Sequence, residues 1–134
     1  MNNQNAFLAP DAKILVVADE KNANFVKSEL KMQVTIATNA EIALKNVQET
    51  VFHAILIFIT PELFDAFTLL EQIRKSSVNK TTPAIAIAQN GQKRDFYRSK
   101  GFQDSLYKLL GKVALEASLV KYLPPELLEF TENS

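Results

Sequence analysis

Few residues of this 134-residue chain could do chemistry. Asp19 and Glu20 follow the apolar run KILVV (13–17) and offer hard carboxylate oxygens of the kind a divalent cation takes. Lys108 brings an amine to the end of another short apolar stretch. Thr60 adds a hydroxyl after HAILIFI (53–59), but nothing near it in sequence is a general base, so it reads as a structural loop residue. His53, the single histidine, precedes the same run and reads as a solvent-facing loop residue rather than a catalyst. In Gln92–Lys100 (QKRDFYRSK), four basic residues (Lys93, Arg94, Arg98 and Lys100) stand against Asp95, with Phe96 and Tyr97 interleaved, as in a nucleic-acid patch. Charges on one short helix more often form a solvated face, and nucleic acid is the weaker reading. With no cysteine there is no thiolate nucleophile, disulfide or cysteine metal site, and one histidine argues against a histidine metal cage. Most hydrolase and zinc chemistry is thereby excluded, and no metal site is expected.

Such residues matter only where the fold brings them together. A chain with 47% hydrophobic and 22% charged residues is expected to form one domain that buries roughly 70% of its unfolded surface. Fifteen basic residues balance fifteen acidic ones, so no overall field steers it to nucleic acid or an anionic membrane. The longest apolar run is Ala54–Ile59, too short for a membrane span, and no leader pattern opens the chain, so a cytoplasmic location is expected.

Short apolar strands alternate with helical periodicities. Strand character falls at Lys13–Val17, Val34–Ala37, His53–Ile59, Ala84–Ala88 and Ser105–Tyr107. Helices are expected over about 22–31, after the N-cap Asn39, after the cap Asp65, over about 93–100 up to Gly101, and over about 112–123 before Pro124-Pro125. Glu126–Phe130 adds one helical turn in this reading. The division expected is a flexible tail at 1–12, a domain at 13–123 and an extension or linker at 124–134. Five strand-then-helix repeats imply a parallel sheet with right-handed crossovers, a three-layer α/β/α sandwich. Ligands of such sheets bind outside the carboxyl ends of the strands at the switch point. That singles out Ala18, Asp19 and Glu20, residues 58–62, residues 88–90, and Lys108.

KILVVADE, HAILIFITPELFDAFTLLEQIR, PAIAIAQ and GFQDSLYKL stand in the order and near the spacing of one family. Over about residues 13–123 the chain resembles the receiver domain of two-component response regulators. The resemblance implies a flavodoxin-like five-stranded parallel sheet in order 2-1-3-4-5. It also implies a chemistry: phosphoryl transfer to an aspartate at the end of the third strand, assisted by Mg²⁺, an acidic pair, a hydroxyl and a lysine.

Set against that pattern, most of the machinery is missing. The phosphoacceptor position falls on Phe58 when Asp65-Ala66-Phe67 marks the start of the third helix. It falls on Ile57 when Pro61 is the guide, and neither register supplies a carboxylate. The first acidic position is Ala18, leaving Asp19; the hydroxyl position is Ala88. Lys108 is retained, but Leu109 follows it in place of proline, and Ser105 takes the aromatic switch position. The helices after the first and fourth strands are also shortened.

These departures imply a degenerate receiver that is not phosphorylated and acts by binding a protein, a histidine kinase or another signalling domain. Asp19 then reads as the cap or first-turn acid of its helix, and Lys108 as its ion-pair partner. On the last helix Leu115, Leu119 and Tyr122 face the core, and Val113, Ala117 and Val120 lie roughly opposite. That second stripe, with Tyr97 from the preceding helix, is the expected interaction surface, open to a homodimer through the last helix. One rival is a receiver phosphorylated on an atypical residue, which needs a carboxylate at the switch point. A flavodoxin-like cofactor binder is another, but ADEKNAN stands where a Gly/Ser/Thr-rich phosphate loop belongs, so no cofactor is expected. A nucleic-acid module would rest on the basic segment alone.

Overall fold

Ile14–Val17, Ala54–Phe58 and Ala84–Ala88 are runs of small and branched apolar residues, and every residue in them is buried. Strands without a polar side must be covered on both faces, which dictates helices above and below the sheet. The computed structural model describes residues 3–8, 12–30, 34–60, 65–76, 78–88, 94–107, 111–123 and 128–133. In chain order the strands are β1 (Asn3–Leu8), β2 (Ile14–Val17), β3 (Val34–Ala37), β4 (Ala54–Phe58), β5 (Ala84–Ala88), β6 (Asp104–Tyr107) and β7 (Leu128–Asn133). The helices are α1 (Glu20–Glu29), α2 (Ala40–Glu49), α3 (Ala66–Ser76), α4 (Arg94–Ser99) and α5 (Gly111–Tyr122).

The five central strands are all parallel, in the order β3-β2-β4-β5-β6. Counted within this sheet, that is the expected 2-1-3-4-5 flavodoxin-like arrangement. α1 and α5 cover one face, where Ala23, Val26, Leu115 and Leu119 meet Ile14, Val16, Leu56, Phe58 and Ile87. α2, α3 and α4 cover the other, where Val47, Leu70, Ile73 and Tyr97 meet Leu15, Val17, Ile57 and Ala88. Among the described residues no helix is long and apolar enough to cross a membrane.

Local signals explain the helix boundaries. The Asn39 side chain accepts the Ile42 N–H at 2.8 Å and starts α2. Asp65 accepts the N–H groups of Phe67 and Thr68 and the Thr68 hydroxyl, and these bonds, the hydroxyl first, hold its carboxyl below the usual 3.8. Gly101 ends α4 at φ +104°, a conformation that other residues reach only with strain.

The structure departs from expectation at both ends. Asn3–Leu8 is a strand rather than a flexible tail, and Leu128–Asn133 is its antiparallel partner where residues 126–130 were expected to add a helical turn. Asn3 stands opposite Asn133. A pairing between segments so far apart in sequence leaves no local periodicity to read. Ala12 is also core, 2% exposed, against the helices of the α1–α5 face.

Candidate functional site

The parallel register collects the strand ends at one edge of the sheet. Val17 pairs with Ile57 and Phe58 with Ile87, so Ala18, Phe58 and Ala88 stand on neighbouring strands at the carboxyl edge. All three are buried, and Phe58 is fully inaccessible. Because strand residues alternate, Ala18 and Phe58 belong to the α1–α5 core and Ala88 to the opposite one. Thus the sheet unites three of the positions expected from sequence, none with a polar side chain.

Asp19 is half-buried at the N-cap of α1, as expected, but its carboxylate caps no backbone N–H. Its Oδ1 instead accepts the Asn22 amide at 2.6 Å. Asn22, 2% exposed, was not singled out from sequence, and its own Oδ1 has no partner. Glu20 opens the helix and is exposed. Thr60 carries a buried hydroxyl without a partner. Lys108, its expected pairing with Asp19, Leu109, and residues 61–62 and 89–90 lie outside the described residues.

Magnesium asks for about six oxygen ligands in near-octahedral array, typically with one or two carboxylates. Here one oxygen of Asp19 is already engaged, and Ala18, Phe58 and Ala88 offer no donor. Among the described residues no three His, Asp or Glu side chains come together. The described residues at this edge do not fit the ion.

The described basic residues of the segment, Arg94, Arg98 and Lys100, are exposed, yet each contacts the fold. Arg94 Nε pairs with Asp104 Oδ1 at 2.7 Å, and Arg98 Nε donates to the Gln103 carbonyl at 3.3 Å. Lys100 stands 5.7 and 5.8 Å from the ring centres of Phe67 and Phe96. Tyr97 was expected on an interaction surface, but it is 2% exposed and packed among Phe67, Phe96 and Phe102. Burial pushes its phenol pKa up. On a six-residue helix with adjacent aromatics only one can face the sheet; here Tyr97 turns in and Phe96 stays 39% exposed. Sequence spacing alone did not distinguish them.

On the last helix Leu115 and Leu119 are buried, with Leu123 rather than Tyr122, which is half-buried; of the residues expected opposite, Val113 is 81% exposed and Ala117 exposed, but Val120 is half-buried. Tyr122 donates its hydroxyl to the Gln103 carbonyl at 3.1 Å. Asp104, 3% exposed, joins the neighbouring elements: besides Arg94 of α4 it accepts the Ser118 hydroxyl of α5 at 3.5 Å. An acidic residue opening an apolar strand was the available signal for this tie. His53 is half-buried rather than solvent-facing, its Nδ1 accepting the Lys13 N–H at 2.8 Å.

Comparison with known proteins found no matching family model and no matching curated protein. Solved structures do match. The receiver domain of a sensor histidine kinase from Pseudomonas aeruginosa PAO1, solved with magnesium coordinated in its active-site cleft, is 21% identical with a TM-score of 0.71, covering 83% of this chain and 96% of that one. A Francisella response regulator receiver domain is 26% identical with a TM-score of 0.69, covering 81% and 93%. The chemotaxis response regulator CheY4 of Vibrio cholerae is 22% identical with a TM-score of 0.73, covering 84% and 98%. The fold is that of response-regulator receiver domains.

Proposed function

We propose that this chain is a pseudo-receiver: a two-component signalling module that takes no phosphoryl group and works by binding another protein. Phe58 carries the reading. It is an inaccessible phenyl ring at the strand end where the resemblance sets the phosphoacceptor. Ala18 and Ala88 on the flanking strands remove an acidic ligand and a hydroxyl from the same edge. An acyl phosphate needs a carboxylate, and the described strand end from Ala54 to Thr60 has none. Without that step the module has no catalytic role, and its output is a binding event.

Receiver domains generally interact with histidine kinases and other proteins, and the surface this chain offers such a partner is the outer face of α5. Val113 and Ala117 place apolar groups in water there, at the cost that burial against a partner removes. Phe96 on α4 and Tyr107 on β6, each 39% exposed, are further large apolar groups in water that a partner contacting more than α5 could cover.

The test is the double variant Val113→Lys/Val120→Lys of the whole chain. Surface substitutions of this kind usually change stability by about 0.5 kcal/mol or less, so the melting temperature should fall by only a few degrees. Affinity for the signalling partner should drop at least about tenfold, since each buried lysine must be desolvated. Unchanged partner affinity and oligomeric state would rule this face out.

A further inference from the structure

Helix α4 is too short to hold its own place. It has six residues, where an isolated helix needs roughly 12–15 to be even marginal in water, and Tyr97 alone of the six is buried. Besides the packing of that one ring, its position is set by two adjacent residues at the entry to β6. Arg94 Nε pairs with Asp104 Oδ1 at 2.7 Å, and Arg98 Nε donates to the Gln103 carbonyl at 3.3 Å.

Gln103 and Asp104 hold more than α4. The Gln103 carbonyl also accepts the Tyr122 hydroxyl of α5 at 3.1 Å, and Asp104 Oδ2 accepts the Ser118 hydroxyl, again of α5, at 3.5 Å. The Gln103 side-chain oxygen accepts the Ala84 N–H of β5 at 2.7 Å and an Arg74 guanidinium N–H of α3 at 3.2 Å. Thus α3, α4 and α5 are all tied to one point at the start of β6. One of these ties differs from the rest. Asp104 is 3% exposed, whereas the Arg94 side chain is 52% exposed. The Ser105 N–H, 2.8 Å from Asp104 Oδ1, adds a donor but no charge. A carboxylate so buried requires its countercharge, and losing that charge costs far more than a surface ion pair is worth. Undocking α4 would carry the countercharge away, so the buried carboxylate opposes every departure of the helix.

We infer that the Arg94–Asp104 pair is a lock: it holds α4 against β6 and, through the shared Gln103–Asp104 anchor, keeps α4 and α5 in one fixed relation. The lock itself does not depend on whether the chain takes a phosphoryl group. Its consequence for binding rests on the pseudo-receiver reading. A switch needs an element with two accessible arrangements, and the short helix best suited to be one is fastened here. A partner at the outer face of α5 therefore meets the same arrangement at all times, and binding is constitutive rather than switched.

The test is NMR of the full chain, with relaxation dispersion for millisecond motion and amide hydrogen exchange for rarer opening. Arg94→Gln leaves Asp104 buried without its countercharge, and Arg94→Gln/Asp104→Asn removes both charges. The wild type should show no dispersion across residues 94–102. In Arg94→Gln the amides of Lys100, Gly101 and Phe102, which bond back to Tyr97 and Arg98, should exchange at least about tenfold faster. The double variant should recover most of that protection. At low denaturant this exchange should be indifferent to denaturant, the mark of a local opening. Wild-type dispersion across residues 94–102 would overturn the lock, as would exchange in Arg94→Gln within about twofold of the wild type. A denaturant dependence as steep as that of the β4 amides would also overturn it, because the pair would then support only the fold as a whole. Saturable shifts at the strand ends with Mg²⁺ and beryllofluoride would overturn the pseudo-receiver reading and the constitutive consequence; the exchange pattern of the variants, if as expected, would still support the lock.

Discussion

Phe58→Asp should lose about 3 kcal/mol or more of unfolding free energy. The ring is fully inaccessible within the α1–α5 core, among Ala18, Ala23, Ile87 and Leu115. Aspartate removes its dispersion contacts, leaves a cavity and places a carboxylate within an apolar cluster. Lys108 could offset part of that cost only by reaching the new carboxylate. In a phosphorylatable receiver the acidic cluster repels itself and opposes folding; at this edge the same position adds to packing, converting a chemical site into core. Chemical denaturation reads the result as a lower midpoint with an unchanged slope. A Phe58→Asp chain as stable as the wild type would mean that the ring is not packed there and that the β4 register is wrong.

Asn79→Ala should be destabilising by a similar amount, about 3 kcal/mol, although it lies far from the strand ends in question. Asn79 is fully buried in the connection before β5 and joins three segments. Its Nδ2 donates to the Val47 and Thr50 carbonyls at 2.7 and 2.8 Å. Its Oδ1 accepts the Phe52 N–H at 2.7 Å and the Thr82 hydroxyl at 3.0 Å. Arg74 closes the network, donating to the Asn79 carbonyl at 2.9 Å and to the Gln103 side chain at 3.2 Å. Alanine strands the Phe52 N–H and two carbonyls in the interior, each costing about 1–3 kcal/mol before relaxation. Asn79→Asp keeps the shape and the acceptor but turns both donated bonds into oxygen–oxygen repulsion, so it should be no more stable than alanine. Loss of less than about 1 kcal/mol in Asn79→Ala would show that water replaces the network.

These two residues mark what sequence could and could not reveal. The run Ala54–Phe58 announces a doubly covered strand through its lack of any polar side, and the order of strands and helices then leaves few topologies. The missing carboxylate at its end was equally legible, because an absent residue type does not depend on packing. Asn79 was not, since SSVNKTTP reads as a polar loop and an asparagine looks the same in water as at a buried junction of three segments. Tyr97 was misplaced because a short charged helix with two adjacent aromatics does not reveal which of them turns inward. The β1–β7 ribbon escaped notice because each strand depends on a partner at the other end of the chain. Asn22 likewise became visible only when the start of α1 set it against Asp19.

The most direct measurement for the central claim is an amide NMR titration of the full chain with millimolar Mg²⁺ and beryllofluoride, the mimic of a phosphoryl group on aspartate. No saturable response is expected at residues 18–20, 58–60 or 88, because a phenyl ring and two methyl groups stand where the acceptor, a metal ligand and the hydroxyl would be. Saturable shifts clustered at those residues would contradict it and show that the strand ends still form a phosphoryl site.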